Sequence, residues 1–164
     1  MQAETLAGLF GLGGALVGAA VSTGAVVWQQ RKITREAERA HLLGLAESAA
    51  NECIRMSYEL VDHFHPETRV HPRASEEDRR QWREELKRKF RVLEEQSLRF
   101  YDDQVRRFLV RVNYALMWEI PYHDREHSHA VCEQICRDIC EVMGTVLRRQ
   151  PFPREVWGRY PERS

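Results

Sequence analysis

Residues 6–28 constrain this chain most strongly, because they contain no charged side chain. The stretch reads LAGLFGLGGALVGAAVSTGAVVW. As an α-helix with a rise of about 1.5 Å per residue it would extend about 34 Å, and the hydrocarbon core of a bilayer is about 30 Å thick. We therefore expect residues 1–28 to form a transmembrane anchor. No later apolar run in the sequence is long enough for a second crossing.

A cleaved signal peptide is the alternative interpretation of this stretch. A signal peptide has a basic segment followed by a shorter apolar core of roughly 7–15 residues. The residues before Leu6 include neither Lys nor Arg, although the Ala-rich sequence around Ala19 resembles a cleavage site. The sequence therefore favours a permanent anchor over a cleaved one.

Basic residues follow the apolar stretch directly and predict its orientation. They are Arg31, Lys32, Arg35 and Arg39, and Trp28 precedes them. Lys and Arg flank the cytoplasmic ends of membrane helices, and Trp is enriched at the level of the lipid headgroups. We expect Trp28 and the first three of these basic residues to lie at the membrane interface. The chain would then cross the inner membrane of the cell once, with its N-terminus outside and its C-terminal domain in the cytoplasm.

Small residues gather on one face of the predicted anchor when it is drawn at 100° per residue. Gly14 and Gly18 are four residues apart, Ser22 continues the spacing, and Gly11 precedes it. In lipid this spacing permits close approach of two helix backbones. We expect these four residues to pack against a second copy of the chain or another membrane protein. The alternative is that Gly and Ala are simply frequent in membrane helices.

Residues 6–40 resemble the corresponding part of many small, uncharacterised single-pass membrane proteins of high-GC bacteria. In those proteins a Gly/Ala-rich helix ends in a pattern similar to Trp28-Gln29-Gln30-Arg31-Lys32. The resemblance implies a helical cytoplasmic domain after the anchor. It implies no functional residue.

Residues 29–64 predict a helix that continues beyond the membrane. They contain no Pro, and their apolar residues recur at spacings of three and four. Charged residues occupy the other faces. We expect a juxtamembrane stalk over residues 29–41 and a member of a helical bundle from residue 42 onward.

Two further helices are predicted after a segment that contains two prolines. The first spans residues 76–119, and its start is marked by a capping box of Ser75 and Asp78. The apolar rhythm is disturbed at residues 97–103, where we expect a bend or a break. The second spans residues 126–149 and carries an apolar stripe widened by cysteines.

No segment shows the alternation of a β-strand, so the predicted class is all-α. We expect a transmembrane helix that continues into a cytoplasmic antiparallel bundle of three long helices over residues 42–149. A tail rich in Pro and aromatic residues occupies residues 150–164. It either packs its aromatic side chains on the bundle or awaits a partner.

His127, His129, Cys132 and Cys136 are the candidate ligands within the densest cluster of potential metal ligands, which spans residues 123–140. The last three share one face of the predicted helix, but a metal site would need a further ligand from elsewhere. The cysteines also continue an apolar stripe, where a free thiol behaves as a small buried hydrophobic group. We favour core packing and predict no metal or cofactor. In the cytoplasm the thiols should be reduced.

The charge balance and the missing motifs limit the function. The chain has 25 basic and 25 acidic residues, which argues against a general nucleic-acid binder. Nucleotide-binding Gly loops, a Gly-x-Ser-x-Gly elbow and a His-Glu-x-x-His motif are absent. We therefore predict neither an enzyme nor a small-molecule substrate.

The leading hypothesis is a membrane-anchored helical interaction module: a scaffold, an adaptor or an accessory subunit. It would act through protein contacts and would have the lipid bilayer as a further partner. One alternative is a metal- or redox-responsive membrane sensor that uses the His/Cys group. Another is an oligomeric pore or effector built on the glycine face.

Overall fold

A computed structural model describes residues 2–67, 74–118 and 125–160, with the side chains of residues 22–67, 74–117 and 127–160. Within these ranges the chain is helical and no strand occurs, so the all-α prediction is confirmed. The helices are α1 (Gln2–Phe64), α2 (Glu76–Ser97), α3 (Asp103–Trp118), α4 (Arg125–Leu147) and the short α5 (Arg154–Trp157).

The chain divides into two compact units, Met1–His41 and Leu42–Ser164. In the first unit every described side chain, from residue 22 to residue 41, is exposed. Among the described residues, no helix combines the length and the apolar character required to cross a membrane. Gly11, Gly14 and Gly18 of the predicted packing face lie outside the residues whose side chains are described.

The second unit has one apolar core to which all of its long helices contribute. From α1 come Ala49, Ala50, Cys53, Met56, Leu60 and Phe64, each at most 3% exposed. Apart from the adjacent Ala49 and Ala50, they are spaced by three or four residues, which places them on one face of the helix. The other helices contribute the stripes that the sequence predicts, including Leu86, Phe90 and Leu93 of α2, Phe108, Val112 and Leu116 of α3, and Ile135, Ile139 and Val142 of α4.

Contacts between side chains establish that α2 and α4 run antiparallel to α1. Lys89 Nζ of α2 lies 2.8 Å from Glu59 Oε2 of α1. Trp82, which is nearer the start of α2, packs on His63, which is nearer the end of α1. His129 near the start of α4 packs on His65, just beyond the end of α1, with ring centroids 5.2 Å apart, whereas Arg149 beyond the end of α4 lies 3.4 Å from Glu47 of α1. The helices of the second unit therefore pack together as a helical bundle.

Among the described residues the predicted middle helix is two helices, so four long helical segments contribute to the bundle where the sequence predicted three. α2 ends at Ser97 and α3 begins at Asp103, which places the break at the disturbed segment 97–103. Ser97 Oγ donates to Glu94 O at 2.6 Å, and Asp102 Oδ1 accepts from Gln104 N at 2.8 Å. These side chains satisfy backbone groups that the break leaves without helical partners.

The capping box at the start of α2 forms as the sequence predicts. Ser75 Oγ accepts from Asp78 N at 3.1 Å, and Asp78 Oδ2 accepts from Ser75 N at 3.3 Å. Two of the unpaired N–H groups at this helix end are thereby satisfied. The sequence was sufficient to predict this cap because its two partners lie within four residues of each other.

His63 lies in a buried position at the end of α1. Its ring stacks on Trp82 with centroids 4.7 Å apart, and its side chain is 8% exposed. Nδ1 lies 4.0 Å from Glu85 Oε2. Burial and, to a smaller extent, the charge of Lys89 lower the pKa of His63 from 6.5.

We predict that the His63→Gln variant makes stability less sensitive to acid. Because the pKa of His63 is lower in the folded state, the unfolded chain takes up its proton first as the pH falls through the ordinary value of 6.5. The free energy of unfolding should therefore be highest above that pH and decrease below it. Urea unfolding of the full chain in detergent micelles at about pH 7.5 and about pH 5.5 measures the decrease, which should shrink in the variant.

The matched control is His127→Gln, which replaces an exposed histidine. This control should keep the pH dependence of the wild-type chain. An undiminished decrease in His63→Gln would contradict the assignment of the effect to His63.

Candidate interaction surface

The aromatic side chains of the C-terminal segment pack on α3. Phe152 and Tyr160 contact the ring of Phe108 edge to face, with centroids 5.7 and 5.6 Å away. The guanidinium of Arg111 lies 4.0 Å above the ring of Trp157. The sequence left two alternatives for the C-terminal segment, packing on the bundle or waiting for a partner. Its described residues, 150–160, pack on the bundle.

A buried carboxylate on α4 binds Arg159 and Tyr160 of this segment. The side chain of Asp138 is 2% exposed and accepts a hydrogen bond from Arg159 Nη1. It also accepts from Gln134 Nε2 at 2.9 Å and from Tyr160 Oη at 2.8 Å. Burial and, second, the bond to Asp138 raise the pKa of Tyr160 above its ordinary value. The hydroxyl therefore remains protonated and continues to donate at physiological pH.

An open groove of about 660 Å³ continues from the packed segment. Val110 and Tyr114 of α3 line one side, and Ala115 and Ile135 are the most buried apolar residues in its lining. Arg159 and Tyr160 also line it. The groove between α3 and α4 therefore adjoins the surface that the C-terminal segment covers.

α3 carries a second stripe that the core does not cover. Val110, Tyr114 and Met117 are 57%, 48% and 40% exposed. Asp103 and Arg107 precede them and are also exposed. We call these five residues the α3 seam. They recur at spacings of four, three, four and three, which places them on one helix face.

The four residues of the predicted ligand group have different surroundings. His127 is exposed, whereas His129 is half-buried and lies edge to face with His65 at 5.2 Å. Cys132 and Cys136 are buried in the core, with Sγ atoms 3.9 Å apart. In the part of the chain that the structure describes, no three His, Cys, Asp or Glu side chains converge as they would around a metal ion.

The thiols behave as core side chains. All four cysteines are free, and three are buried. The hydrogen bond with Cys132 and, second, burial raise the pKa of Cys136, while burial raises the pKa of Cys53 to about 12. In Cys53 and Cys136 the reactive thiolate is therefore scarcer at neutral pH than in an ordinary thiol, and both pack in the core as small apolar groups.

The predicted membrane-interface residues are exposed in the first unit. Lys32 Nζ lies 5.9 Å from the ring centroid of Trp28 and 3.9 Å from Glu36 Oε1. Arg31 and Arg35 are exposed as well, as is Ser22 of the predicted packing face. The structure thus leaves this basic and aromatic segment accessible.

No family model, curated protein or solved structure matches this chain.

Sequence reasoning missed Asp138 and the α3 seam, although each has a signal in the sequence. Asp138 continues the spacing of Val131, Ile135 and Val142, so it is a carboxylate within an apolar stripe. Such a residue requires hydrogen-bonding partners when the stripe is buried. The seam shows as a second apolar stripe on α3, separate from the one that contains Phe108.

We predict that Asp138→Ala releases the C-terminal segment and destabilises the bundle by about 1–3 kcal/mol, because the half-buried Tyr160 hydroxyl and the Arg159 guanidinium lose their acceptor. Thermal unfolding of the full chain measures the stability. Limited trypsin digestion reports release through faster cleavage after Arg154 and Arg159.

Glu133→Ala is the matched control, since it removes a carboxylate from a solvent-exposed ion pair with Arg137 at 3.5 Å. Exposed pairs of this kind contribute little. Equal effects of the two substitutions would contradict the role of Asp138.

Proposed function

We propose that this chain is a membrane-anchored helical interaction module that serves as a scaffold, an adaptor or an accessory subunit. Residues 6–28 hold it in the inner membrane with the N-terminus outside. The helices that follow present protein-binding surfaces in the cytoplasm. The glycine face of the anchor associates with a second copy or with another membrane protein.

The exposed apolar side chains of the first unit carry the proposal. Val26, Val27 and Trp28 are 54%, 40% and 68% exposed, and Arg31 and Lys32 follow them at once. Apolar area that stays in water lacks the stabilisation of about 25 cal/mol per Å² that its burial would give. A headgroup region would cover the apolar groups, place the indole N–H near water and attract the basic side chains.

The exposed apolar surface of the second unit supports the interaction part of the proposal. The groove and the α3 seam place Val110 and Tyr114 at the surface side by side. Contiguous exposed apolar residues with polar neighbours are typical of sites for protein contact. A scaffold or adaptor requires this kind of surface and no reactive group.

Reporter fusions in bacterial cells test the anchor and its orientation. A C-terminal phosphatase fusion should be inactive, because the enzyme folds only outside the cytoplasm, whereas a C-terminal fluorescent-protein fusion should be bright. The full chain should also remain in the membrane pellet after alkaline carbonate extraction.

Leu16→Arg tests the same point by substitution. An arginine at the centre of the span opposes insertion by about 2.5–3.5 kcal/mol, so the variant should shift toward the soluble fraction. Arg39→Leu is the control and should remain in the pellet. A wild-type chain that carbonate extracts would contradict the proposal.

Gly14→Ile tests the glycine face. A branched side chain keeps the backbones apart, so association in a membrane two-hybrid assay should fall while insertion is unchanged. Gly13→Ile, which lies off the small face, is the matched control. If Gly14→Ile associates as strongly as the wild-type chain, the predicted packing face is contradicted.

A further inference from the structure

Histidines gather at one end of the bundle. Six of the seven in the chain fall within residues 63–71 or 123–129. The first range contains the end of α1, and the second contains the start of α4. His65 and His129 bring these two places together, because their rings meet edge to face with centroids 5.2 Å apart. α1 and α4 therefore meet at this end through histidine rings.

The hydrogen bond that His65 makes requires a neutral ring. Its Nδ1 accepts from Glu67 N at 3.3 Å, so this nitrogen carries no hydrogen. A neutral imidazole with an accepting Nδ1 has its hydrogen on Nε2, and it can take up a further proton only at Nδ1. Proton uptake by His65 therefore removes the acceptor of the Glu67 N–H in the turn that follows α1.

The other two buried imidazole nitrogens at this end also suit neutral rings. Nε2 of His63 and Nδ1 of His129 are buried and have no hydrogen-bond partner among the described residues. Both nitrogens of an imidazolium donate, so protonation requires an N–H at each of these positions. A buried N–H without an acceptor is costly. For His63, burial also lowers the pKa.

Charged and titratable side chains from three helices share this end of the bundle. They are Asp62 of α1, Glu67 of the turn after it, Glu85 and Lys89 of α2, and His127 and Glu133 of α4. The last turn of α3 with described side chains, residues 114–117, contains no charged residue. The carboxylates favour the charged form of a single histidine, whereas two imidazolium rings in contact repel each other.

From these contacts we propose that this end of the bundle is proton-sensitive: it is closed while His65 and His129 are neutral and opens when both rings are protonated. Protonation removes the bond to Glu67, leaves a buried N–H of His129 without an acceptor and places two positive charges ring against ring. The end of α1 and the start of α4 then separate. Histidine titrates between about pH 5 and pH 8, so the response falls in the physiological range. This inference goes beyond the proposed function and does not depend on the anchor.

Opening would uncover apolar side chains that the closed contact covers. Phe64 precedes His65, and Cys132 lies about one turn after His129 on α4. Both are completely buried. Cys53 is also buried but lies about three turns before His65 on α1. A local opening should therefore expose Cys132 and leave Cys53 protected.

The reactivity of Cys132 relative to that of Cys53 tests the proposal. The full chain in detergent micelles is treated with dithiodipyridine at about pH 7.5 and about pH 5.5, and the modified peptides are quantified by mass spectrometry. A chelator keeps metal ions from the histidines. The ratio of the two rates should rise about tenfold on acidification. Taking a ratio removes the general loss of thiolate in acid.

Two variants remove the titration and keep the packing. His129→Phe keeps an aromatic ring against His65, and His65→Asn keeps an oxygen that can accept from Glu67 N. Neither new side chain takes up a proton, so each variant should lose most of the rise in the ratio. The matched control is His41→Gln, which replaces the exposed histidine of the first unit and should keep the rise. Circular dichroism should show equal helicity in all three variants at about pH 7.5.

Two results would overturn the proposal. One is an unchanged ratio in the wild-type chain, whether both thiols stay protected or both become reactive through unfolding of the whole bundle. The other is a rise that persists in folded His129→Phe or folded His65→Asn, because the proton would then act elsewhere. The wild-type measurement decides the proposal even where a variant loses its helicity.

Discussion

Burial of one apolar stripe on α1 is the interaction on which the rest of the second unit depends. From Ala49 to Phe64 this stripe is almost completely covered, and α2 and α4 run antiparallel to it. Before Leu42 the described side chains of the same helix are all exposed. The sequence changes at the same place, since residues 29–41 offer only Ile33 and the small Ala37 and Ala40 at helical spacing, whereas larger apolar side chains follow Leu42. Burial of this kind stabilises a bundle more than helix propensity does.

Periodicity and local capping predicted the helices well because both act over a few residues. The spacing of Leu86, Phe90 and Leu93 identified the buried face of α2, and Ser75 with Asp78 identified its start. The break at residues 97–103 was also visible in the apolar rhythm. Asp138 was missed because its partners Arg159 and Tyr160 come from more than twenty residues away. The α3 seam was missed as well, because the apolar stripe with Phe108 is enough by itself to predict the helix.

The cysteines show why composition alone is a weak guide to chemistry. Cys132 and Cys136 have a spacing that suits metal ligands, yet both are in the core, where the hydrogen bond with Cys132 and, second, burial raise the pKa of Cys136. Other residues, unlike these thiols, expose apolar or basic groups at the surface. Val110 and Tyr114 expose apolar area, and Trp28 with Lys32 combines apolar and basic groups. The proposed roles of the molecule follow from these exposed groups, whereas Cys132 and Cys136 are buried in the core.

The depth of Trp28 in a bilayer tests the central proposal most directly. In a chain whose other tryptophans, Trp82, Trp118 and Trp157, are replaced by Phe, the fluorescence comes from Trp28 alone. Reconstituted vesicles with bromine near the headgroups or near the methyl ends of the acyl chains measure its depth by quenching. The proposed anchor predicts strong quenching by the shallow bromines and weak quenching by the deep ones, because Trp prefers the interface. Emission that neither lipid quenches would contradict the account.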